Sequence, residues 1–288
     1  MANNLRIKEF HLLIFPPYFW FLIFFIIPLL IIIIYSFSEK EVYGGVNLIF
    51  TLENYKLIFD DLYLKIYLYS FLTATVSTIF TLLISYPIAY YMAFSKPRTK
   101  IIILFLIVLP FWTNMMIRLY SMIILLGNEG VLNSILLNIG VIREPLQMMH
   151  TTFSVYLGFI YWNLPFMVLP IFASLDKIDI SMLEASMDLG ANKIKTFFKI
   201  TLPYSIPGVV AGIIFTFVPT LGNFVIPDFL GGTRQSMIGN VITAQFLQSR
   251  NWPFGSALSV ILIFVVMLFI VIYLRFANPM KNKHLSEV

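Results

Sequence analysis

Residues 12–38 read LLIFPPYFWFLIFFIIPLLIIIIYSFS, a run in which no side chain carries a charge. An α-helix rises about 1.5 Å per residue, so about 20 apolar residues span the roughly 30 Å hydrocarbon core of a bilayer. The run exceeds this length and is too long for the apolar region of a signal peptide. It therefore predicts an uncleaved helix that crosses a membrane.

Five further apolar runs follow, at 66–95, 101–127, 151–175, 201–227 and 251–274, and only the run at 101–127 is interrupted by a charge, Arg118. Backbone groups in lipid must bond within one helix or in a closed barrel, and these runs lack the alternation of barrel strands. The sequence predicts an all-α membrane protein, a single transmembrane domain over 1–288. Its helices are expected near residues 12–38, 66–95, 101–127, 151–175, 201–227 and 251–276.

The composition of the whole chain agrees with a lipid environment. Hydrophobic residues make up 59% and charged residues 11% of the chain, against about 45–50% and about 25% in soluble domains. Basic residues are scattered through short loops, unlike the basic patch of a nucleic-acid-binding protein, so no nucleic acid is expected as a partner. The absence of cysteine excludes disulfides and thiolate chemistry. His11, His150 and His284 lie far apart, and no metal site is predicted.

The basic residues are divided unevenly between the two sets of connecting segments. Twelve of the 19 Lys and Arg residues fall in the segments that contain both termini, the 96–100 loop and the 176–200 loop. Cytoplasmic loops of membrane proteins carry an excess of Lys and Arg. We therefore predict that both termini and these two loops are cytoplasmic, and that the chain crosses the membrane about six times.

The loop at 176–203, between the fourth and fifth predicted helices, has a pattern of its own. It contains LEASMDLGAN from Leu183 to Asn192 and ITLP at 200–203. Leu183 and Met187 are spaced for one side of a short helix. Gly190 lets the chain reverse, because glycine enters left-handed backbone space at little cost. Pro203 suits the first turn of a new helix.

This pattern resembles the EAA loop of permeases in bacterial binding-protein-dependent ABC importers. The resemblance rests on Glu184, Ala185, Ser186 (where the family usually has Ala), Gly190, Ile200, Leu202 and Pro203. It implies a type I ABC importer permease fold and a short helix that transmits movement from an attached ATPase. The alternative interpretation is an amphipathic helix that rests on lipid headgroups.

No G-x-x-x-x-G-K-[ST] segment occurs in the chain, so it cannot hold nucleotide phosphates in a P-loop. The prediction is a subunit that is not an enzyme, has no catalytic residues and binds no cofactor. ATP and magnesium are expected on a partner ATPase.

Several shorter segments resemble spermidine/putrescine importer permeases. They are PFWTN at 110–114, IRLY at 117–120, FTLENY at 50–55, LPFMVLP at 164–170, IGNVI at 238–242 and NWPFG at 251–255. The resemblance implies import of polyamines across the bacterial cytoplasmic (inner) membrane. It also implies a complex with a second homologous permease, two ATPase subunits and an extracytoplasmic polyamine-binding protein.

Polyamines are chains of ammonium groups, which bind aromatic faces and carboxylates. Candidate residues of the substrate route are Trp112, Tyr120, Tyr161, Trp162, Asp228 and Trp252. The alternative for each aromatic is a place in lipid or in the interfacial belt, where Trp and Tyr are enriched. For Arg118 we expect a structural role, paired with an acid or with backbone carbonyls, or else a position near the outer interface.

Two alternatives to polyamine import remain at this point. The first is an ABC importer permease for another small solute, such as iron or a phosphonate. The second is a secondary transporter or channel that needs no ATPase, although the apolar runs contain no carboxylate or histidine for a proton relay.

Overall fold

The computed structural model describes residues 15–232 and 235–285, with side chains as far as Arg275. Within these ranges, six stretches are long and apolar enough to cross a membrane, which confirms the all-α membrane architecture. They are Phe15–Ser36, Asp61–Ala93, Met115–Asn138, Thr152–Leu175, Lys193–Gly222 and Trp252–Arg275. Residues 12–14 of the first predicted helix and the two chain termini lie outside the described residues.

The elements follow one another as helices joined by short turns and one small hairpin. In chain order they are α1 (Phe15–Ser36), β1 (Glu39–Lys40), β2 (Val46–Asn47), α2 (Glu53–Ile58), α3 (Asp61–Ala93), α4 (Pro97–Val108), α5 (Met115–Leu126), α6 (Val131–Asn138), α7 (Thr152–Leu175), α8 (Ile180–Asp188), α9 (Lys193–Gly222), α10 (Ile238–Leu247) and α11 (Trp252–Leu285). The hairpin strands are antiparallel, with Glu39 opposite Asn47.

The chain forms two compact units. The first unit comprises the described residues up to 64 together with 241–265, and the second comprises 65–240 and the residues from 266 onward. In the first unit, the end of α1 is fastened to α2, because Asn54 Nδ2 donates to the Ser36 and Ser38 carbonyls at 3.2 and 2.8 Å. The hydroxyls of Ser36 and Tyr55 are 2.7 Å apart.

The third predicted helix, 101–127, is not a single helix. α4 ends at Val108 and continues as a 3-10 turn, Leu109–Trp112, that contains Pro110. The backbone is extended at Thr113, and α5 begins with Asn114 as its N-cap. Proline tightens the turn because it cannot donate the helical hydrogen bond. The apolar stretch Met115–Asn138 also contains a turn at 127–130, so α5 and α6 are separate helices.

The fifth helix begins earlier than the prediction at 201. α9 starts at Lys193, and Pro203 lies inside it. A π turn, Phe197–Thr201, precedes the proline, and the Leu202 N–H donates to the Phe197 carbonyl. Pro203 lies in the first turn of the regular α-helical part, Leu202–Gly222, as the sequence predicts, but this part continues from the π turn and is not a new start. The helix widens by one residue ahead of the proline, which has no N–H to donate, and continues without a break.

α7 and α9 pack closely against each other in the second unit. A Cβ on Gly208 of α9 would lie 2.3 Å from the Pro170 carbonyl oxygen of α7, so glycine is required for this approach. Farther along the same pair, Asn163 Nδ2 donates to Thr220 Oγ1 at 2.8 Å. Small residues and interhelical hydrogen bonds of this kind hold membrane helices together.

Candidate functional site: the 176–203 loop and the α4–α5 break

The segment 176–203, called the EAA-like loop below, forms an exposed helix followed by a sharp turn. Asp179 caps α8 by accepting a hydrogen bond from the Ser181 N–H at 3.0 Å. Glu184 and Ala185 are exposed on α8, whereas Ser186 is half-buried. The chain thus presents the first two residues of the EAA pattern to the surroundings, and turns the third toward the protein.

Gly190 makes the turn that the sequence predicts. Its φ is +83°, in the left-handed region, and no atom lies within 4 Å of a Cβ built there. Its N–H donates to the Met187 carbonyl at 2.9 Å, and the Ala191 N–H donates to Ser186 O at 3.1 Å. The glycine is required by backbone conformation and not by crowding.

After the turn, two contacts join α8 to the start of α9. Asn192 caps α9 by accepting from the Lys195 N–H at 2.8 Å. The Ser186 and Thr196 hydroxyls lie 3.0 Å apart, so a residue of the EAA pattern bonds to the next helix. Ile200, Leu202 and Pro203 are half-buried in the continuous α9. A displacement of α8 would therefore reach a membrane-spanning helix through short, direct contacts.

The loop leaves several apolar side chains uncovered. Leu189 is 89% exposed, and Met187 before the Gly190 turn and Ile194 and Phe198 after it are also exposed. Leu183, one turn before Met187, packs against a buried cluster that includes Ile178 and Leu175. α8 is thus anchored by Leu183, while the exposed apolar side chains at its C-terminal end are available to bind another protein.

Among the described residues, no ring contact joins any two of the aromatic residues predicted for a substrate route. Trp112 ends the 3-10 turn, is 78% exposed and meets the Phe105 ring edge-on at 6.0 Å. Tyr120 is exposed on α5 and lies 5.9 Å from the Phe229 ring. Tyr161 is exposed on α7.

Trp252 and Asp228 lie in separate parts of the chain. Trp252 is exposed at the start of α11 in the first unit. Asp228 is exposed in the π turn Pro227–Gly231 of the second unit. Its carboxylate accepts a hydrogen bond from Asn240 Nδ2, which also donates to the Phe224 carbonyl at 2.8 Å. Asp228 is therefore held in place by the chain while its carboxylate stays accessible.

Trp162 binds a cation, and that cation belongs to the chain itself. The guanidinium carbon of Arg118 lies 4.4 Å from the Trp162 ring centroid and 4.8 Å from that of Phe111. Arg118 is only 8% exposed. The expectation that Arg118 pairs with an acid is wrong for the described residues. The ion pair that they form joins Lys100 to Asp176. Two aromatic faces stabilise the charge instead.

Phe111 is a site residue that the sequence prediction missed. It lies within the PFWTN segment, but no sequence pattern relates it to Arg118 or to α7. The contact forms because the break after α4 brings the 3-10 turn against α7, where Phe111 also meets Phe166 edge-on at 5.4 Å. The sequence contains one signal for this break, the proline at 110, because a proline within an apolar run indicates an irregular turn.

The chain belongs to the family of binding-protein-dependent transport system inner membrane components, whose profile it matches over residues 85–279. It is therefore a membrane-spanning permease of an ABC importer, as the EAA-like loop indicates. This assignment excludes the alternative of a transporter or channel that works without an ATPase.

Two relatives extend the comparison to nearly the whole chain. The "Spermidine/putrescine transport system permease protein PotB" of Salmonella typhimurium (strain SL1344) is 41% identical over 269 residues, which cover 93% of each protein. The PotB protein of Escherichia coli (strain K12) is 40% identical over 264 residues, covering 92% of this chain and 96% of the relative.

The fold also matches a solved permease. A crystal structure of a bacterial alginate ABC transporter, in complex with an alginate pentasaccharide-bound periplasmic protein, contains a chain that superposes with a TM-score of 0.79. It is 16% identical, and the match covers 98% of this chain and 96% of the other. At this identity the likeness concerns the fold, which is that of a type I importer permease.

Proposed function

We propose that this permease imports polyamines, with spermidine and putrescine as the candidate substrates. The observation that carries the proposal is the identity of about two residues in five with the PotB proteins, sustained over nine-tenths of both chains. Matches of this extent cover the loops and the irregular turns, where functional residues are often found, as well as the apolar helices.

The side chains around the α4–α5 break suit a cationic substrate. Trp112 and Tyr120 expose aromatic faces on either side of the break, and Asp228 offers an accessible carboxylate in the same unit. An ammonium over an aromatic face gains about 0.5–2 kcal/mol. An unpaired charge in a dry passage costs several kcal/mol, so such faces and carboxylates are what a polyamine needs along its route.

We further propose that the EAA-like loop docks on an ATPase. The exposed apolar side chains of Leu189, Met187 and Ile194 form the contact surface, and the Ser186–Thr196 hydroxyl pair passes the movement to α9. ATP and magnesium then bind to the separate ATPase subunits. The complete importer contains a second homologous permease, two ATPase subunits and an extracytoplasmic polyamine-binding protein.

The docking proposal requires the EAA-like loop and both termini to be cytoplasmic. The chain has no native cysteine, so single cysteines at Lys96 and Lys193 give clean labelling. We expect an impermeant maleimide to label neither in intact cells and both after permeabilisation, with a cysteine at Glu41 as the externally labelled control. Labelling of positions 96 and 193 from outside would reverse the orientation.

The test of the substrate is uptake by cells that lack other polyamine importers. The gene is expressed with its partner subunits, and labelled spermidine and putrescine uptake is measured per assembled complex. Saturable, ATP-dependent uptake that excess unlabelled polyamine abolishes is expected. If iron or phosphonate competes and polyamines do not, the fold and family remain but the cargo is another small solute.

A further inference from the structure

A buried cation lies in a candidate membrane-spanning stretch, Met115–Asn138, and no carboxylate of the described residues forms an ion pair with it. Arg118 is on α5, nine residues before Gly127, which ends that helix. Nine residues correspond to about 13 Å of helix, farther than an arginine side chain reaches. The guanidinium therefore does not extend to the C-terminal end of α5, and its charge has to be stabilised where it lies.

The stabilisation is incomplete. Nε and Nη1 of Arg118 are both buried, and neither has a hydrogen-bond acceptor within the described residues. A guanidinium has five N–H donors, and a buried donor without an acceptor carries a desolvation cost. The two rings are the principal partners of this charge, and the cost of the unpaired donors makes the guanidinium easier to displace than one held by a carboxylate.

The two rings form a preassembled cation site. Phe111 and Trp162 lie 5.7 Å apart with planes inclined by 41°, and Arg118 contacts a face of each. Both rings are half-buried, so their other edges are accessible. Phe166 supports Phe111 from the side. The walls come from two elements, the 3-10 turn and α7, so the site persists when Arg118 moves.

We propose that Phe111 and Trp162 form a binding site for organic cations in which Arg118 is a tethered occupant, and that an ammonium group of the imported substrate replaces Arg118 during passage. The second clause rests on the proposed polyamine function. Substrate ammonium groups and the guanidinium are both monovalent nitrogen cations that bind aromatic faces. The neighbouring Trp112 and Tyr120 expose faces from which a substrate can move to this site.

This arrangement gives the positive charge of Arg118 a role in a transporter of cations. An empty aromatic site would hold a substrate ammonium for longer, because no other cation would compete for the two rings. With Arg118 competing for the same faces, the substrate binds briefly and is then expelled. Arg118 therefore lowers the residence time of the substrate in the route, which favours turnover over retention.

The site itself is tested with Arg118→Ala in the complete complex, in lipid nanodiscs. We expect n-propylguanidinium to raise the melting temperature of this variant by at least about 2 °C at saturating concentration, since it binds the native state. The neutral isostere n-propylurea should have no effect, and neither compound should stabilise the wild-type complex. Equal responses to the two compounds, or no response in the variant, would overturn the cation site whatever the substrate is.

The exchange is tested on the unmodified protein, which removes any doubt about folding. Phenylglyoxal reacts with accessible arginines, and peptide mass spectrometry reads each site. Arg118 should be protected in the resting complex and become at least tenfold more reactive during spermidine-driven turnover, whereas the exposed Arg143 should react equally in both conditions. Unchanged protection of Arg118 during verified turnover would overturn the exchange. If the complex does not transport polyamines, the propylguanidinium experiment still decides the site.

Discussion

The EAA-like loop and the α4–α5 break lie in the same unit but are stabilised by different kinds of contact. In the EAA-like loop, Asn192 and Gly190 bond to groups three residues away along the chain, and Ser186 bonds to Thr196, ten residues away. At the break, Arg118 depends on Trp162, which belongs to another helix. The first region is determined by local sequence, and the second by packing between distant segments.

This difference separates two kinds of functional requirement. A coupling element has to move as a rigid piece, and local hydrogen bonds with one anchored residue, Leu183, provide that rigidity. A substrate route has to release what it binds, and aromatic contacts between separate segments can open without breaking a helix. If the two regions act independently, a change in one of them should leave the function of the other intact.

The largest effect is expected from Gly190→Pro in the EAA-like loop. Proline fixes φ near −65°, whereas Gly190 has a φ of +83° and donates its N–H to Met187 O. The turn cannot form, so α8 loses its orientation toward the ATPase. We expect polyamine uptake to be abolished, with the ATPase subunits lost on purification and the permease still inserted in the membrane.

Gly140 provides a matched control for this substitution. It is also exposed, has a φ of +73°, leaves open space within 4 Å of where a Cβ would lie and donates its N–H three residues back, to Leu137 O. Gly140→Pro should therefore have a similar local cost while retaining ATPase association and most of the uptake. If both variants fail equally, the loss reflects general misfolding and the coupling role of Gly190 is not supported.

A smaller effect is expected from Trp112→Ala beside the break. Loss of one cation–π face removes about 0.5–2 kcal/mol, and each 1.4 kcal/mol is a factor of ten. Uptake normalised to assembled complex should fall between about twofold and thirtyfold, with ATPase association intact. Trp112→Phe should be milder because a smaller aromatic face remains. We expect Trp252→Ala, a substitution in the first unit, to lower normalised uptake within the same range.

Trp20 serves as the control for these substitutions because it is 65% exposed on α1, comparable to Trp112, and is not a candidate for the route. Trp20→Ala should leave normalised uptake unchanged. If Trp112→Ala and Trp252→Ala lower only the amount of complex, as an interfacial tryptophan would, the aromatic route is wrong although the permease assignment stands.

The same distinction explains which features the sequence could predict. Hydrophobic runs predicted the number of membrane-spanning stretches, and Gly190 predicted a turn, because both depend on residues close together in the chain, although the third stretch lies at Met115–Asn138 and not at 101–127. The early start of α9 was missed because Pro203 is tolerated inside a helix that widens into a π turn. The partners of Arg118 were missed because no local pattern specifies which distant helix packs against a break.

The smallest effects are expected from two asparagine N-caps, one in each region. Asn114 Oδ1 accepts from the Met116 N–H and Asn192 Oδ1 from the Lys195 N–H, both at 2.8 Å and both at exposed residues. Replacing such a cap by alanine costs about 1 kcal/mol, and serine largely restores it. Asn114→Ala and Asn192→Ala should therefore lower the melting temperature of the complex by similar amounts, and the serine variants should recover most of the loss.

The two alanine variants should nevertheless differ in function. Fraying at Asn192 loosens the link between α8 and α9, so more ATP should be hydrolysed per spermidine imported. Fraying at Asn114 disturbs the segment that carries Arg118, so uptake should change by at most about fivefold at an unaltered ratio of ATP to spermidine. Both rates are measured together in proteoliposomes with the binding protein at saturating concentration. An equal change of the ratio of ATP to spermidine in both variants would mean that the break takes part in coupling. Coupling would then not be confined to the local contacts of the EAA-like loop.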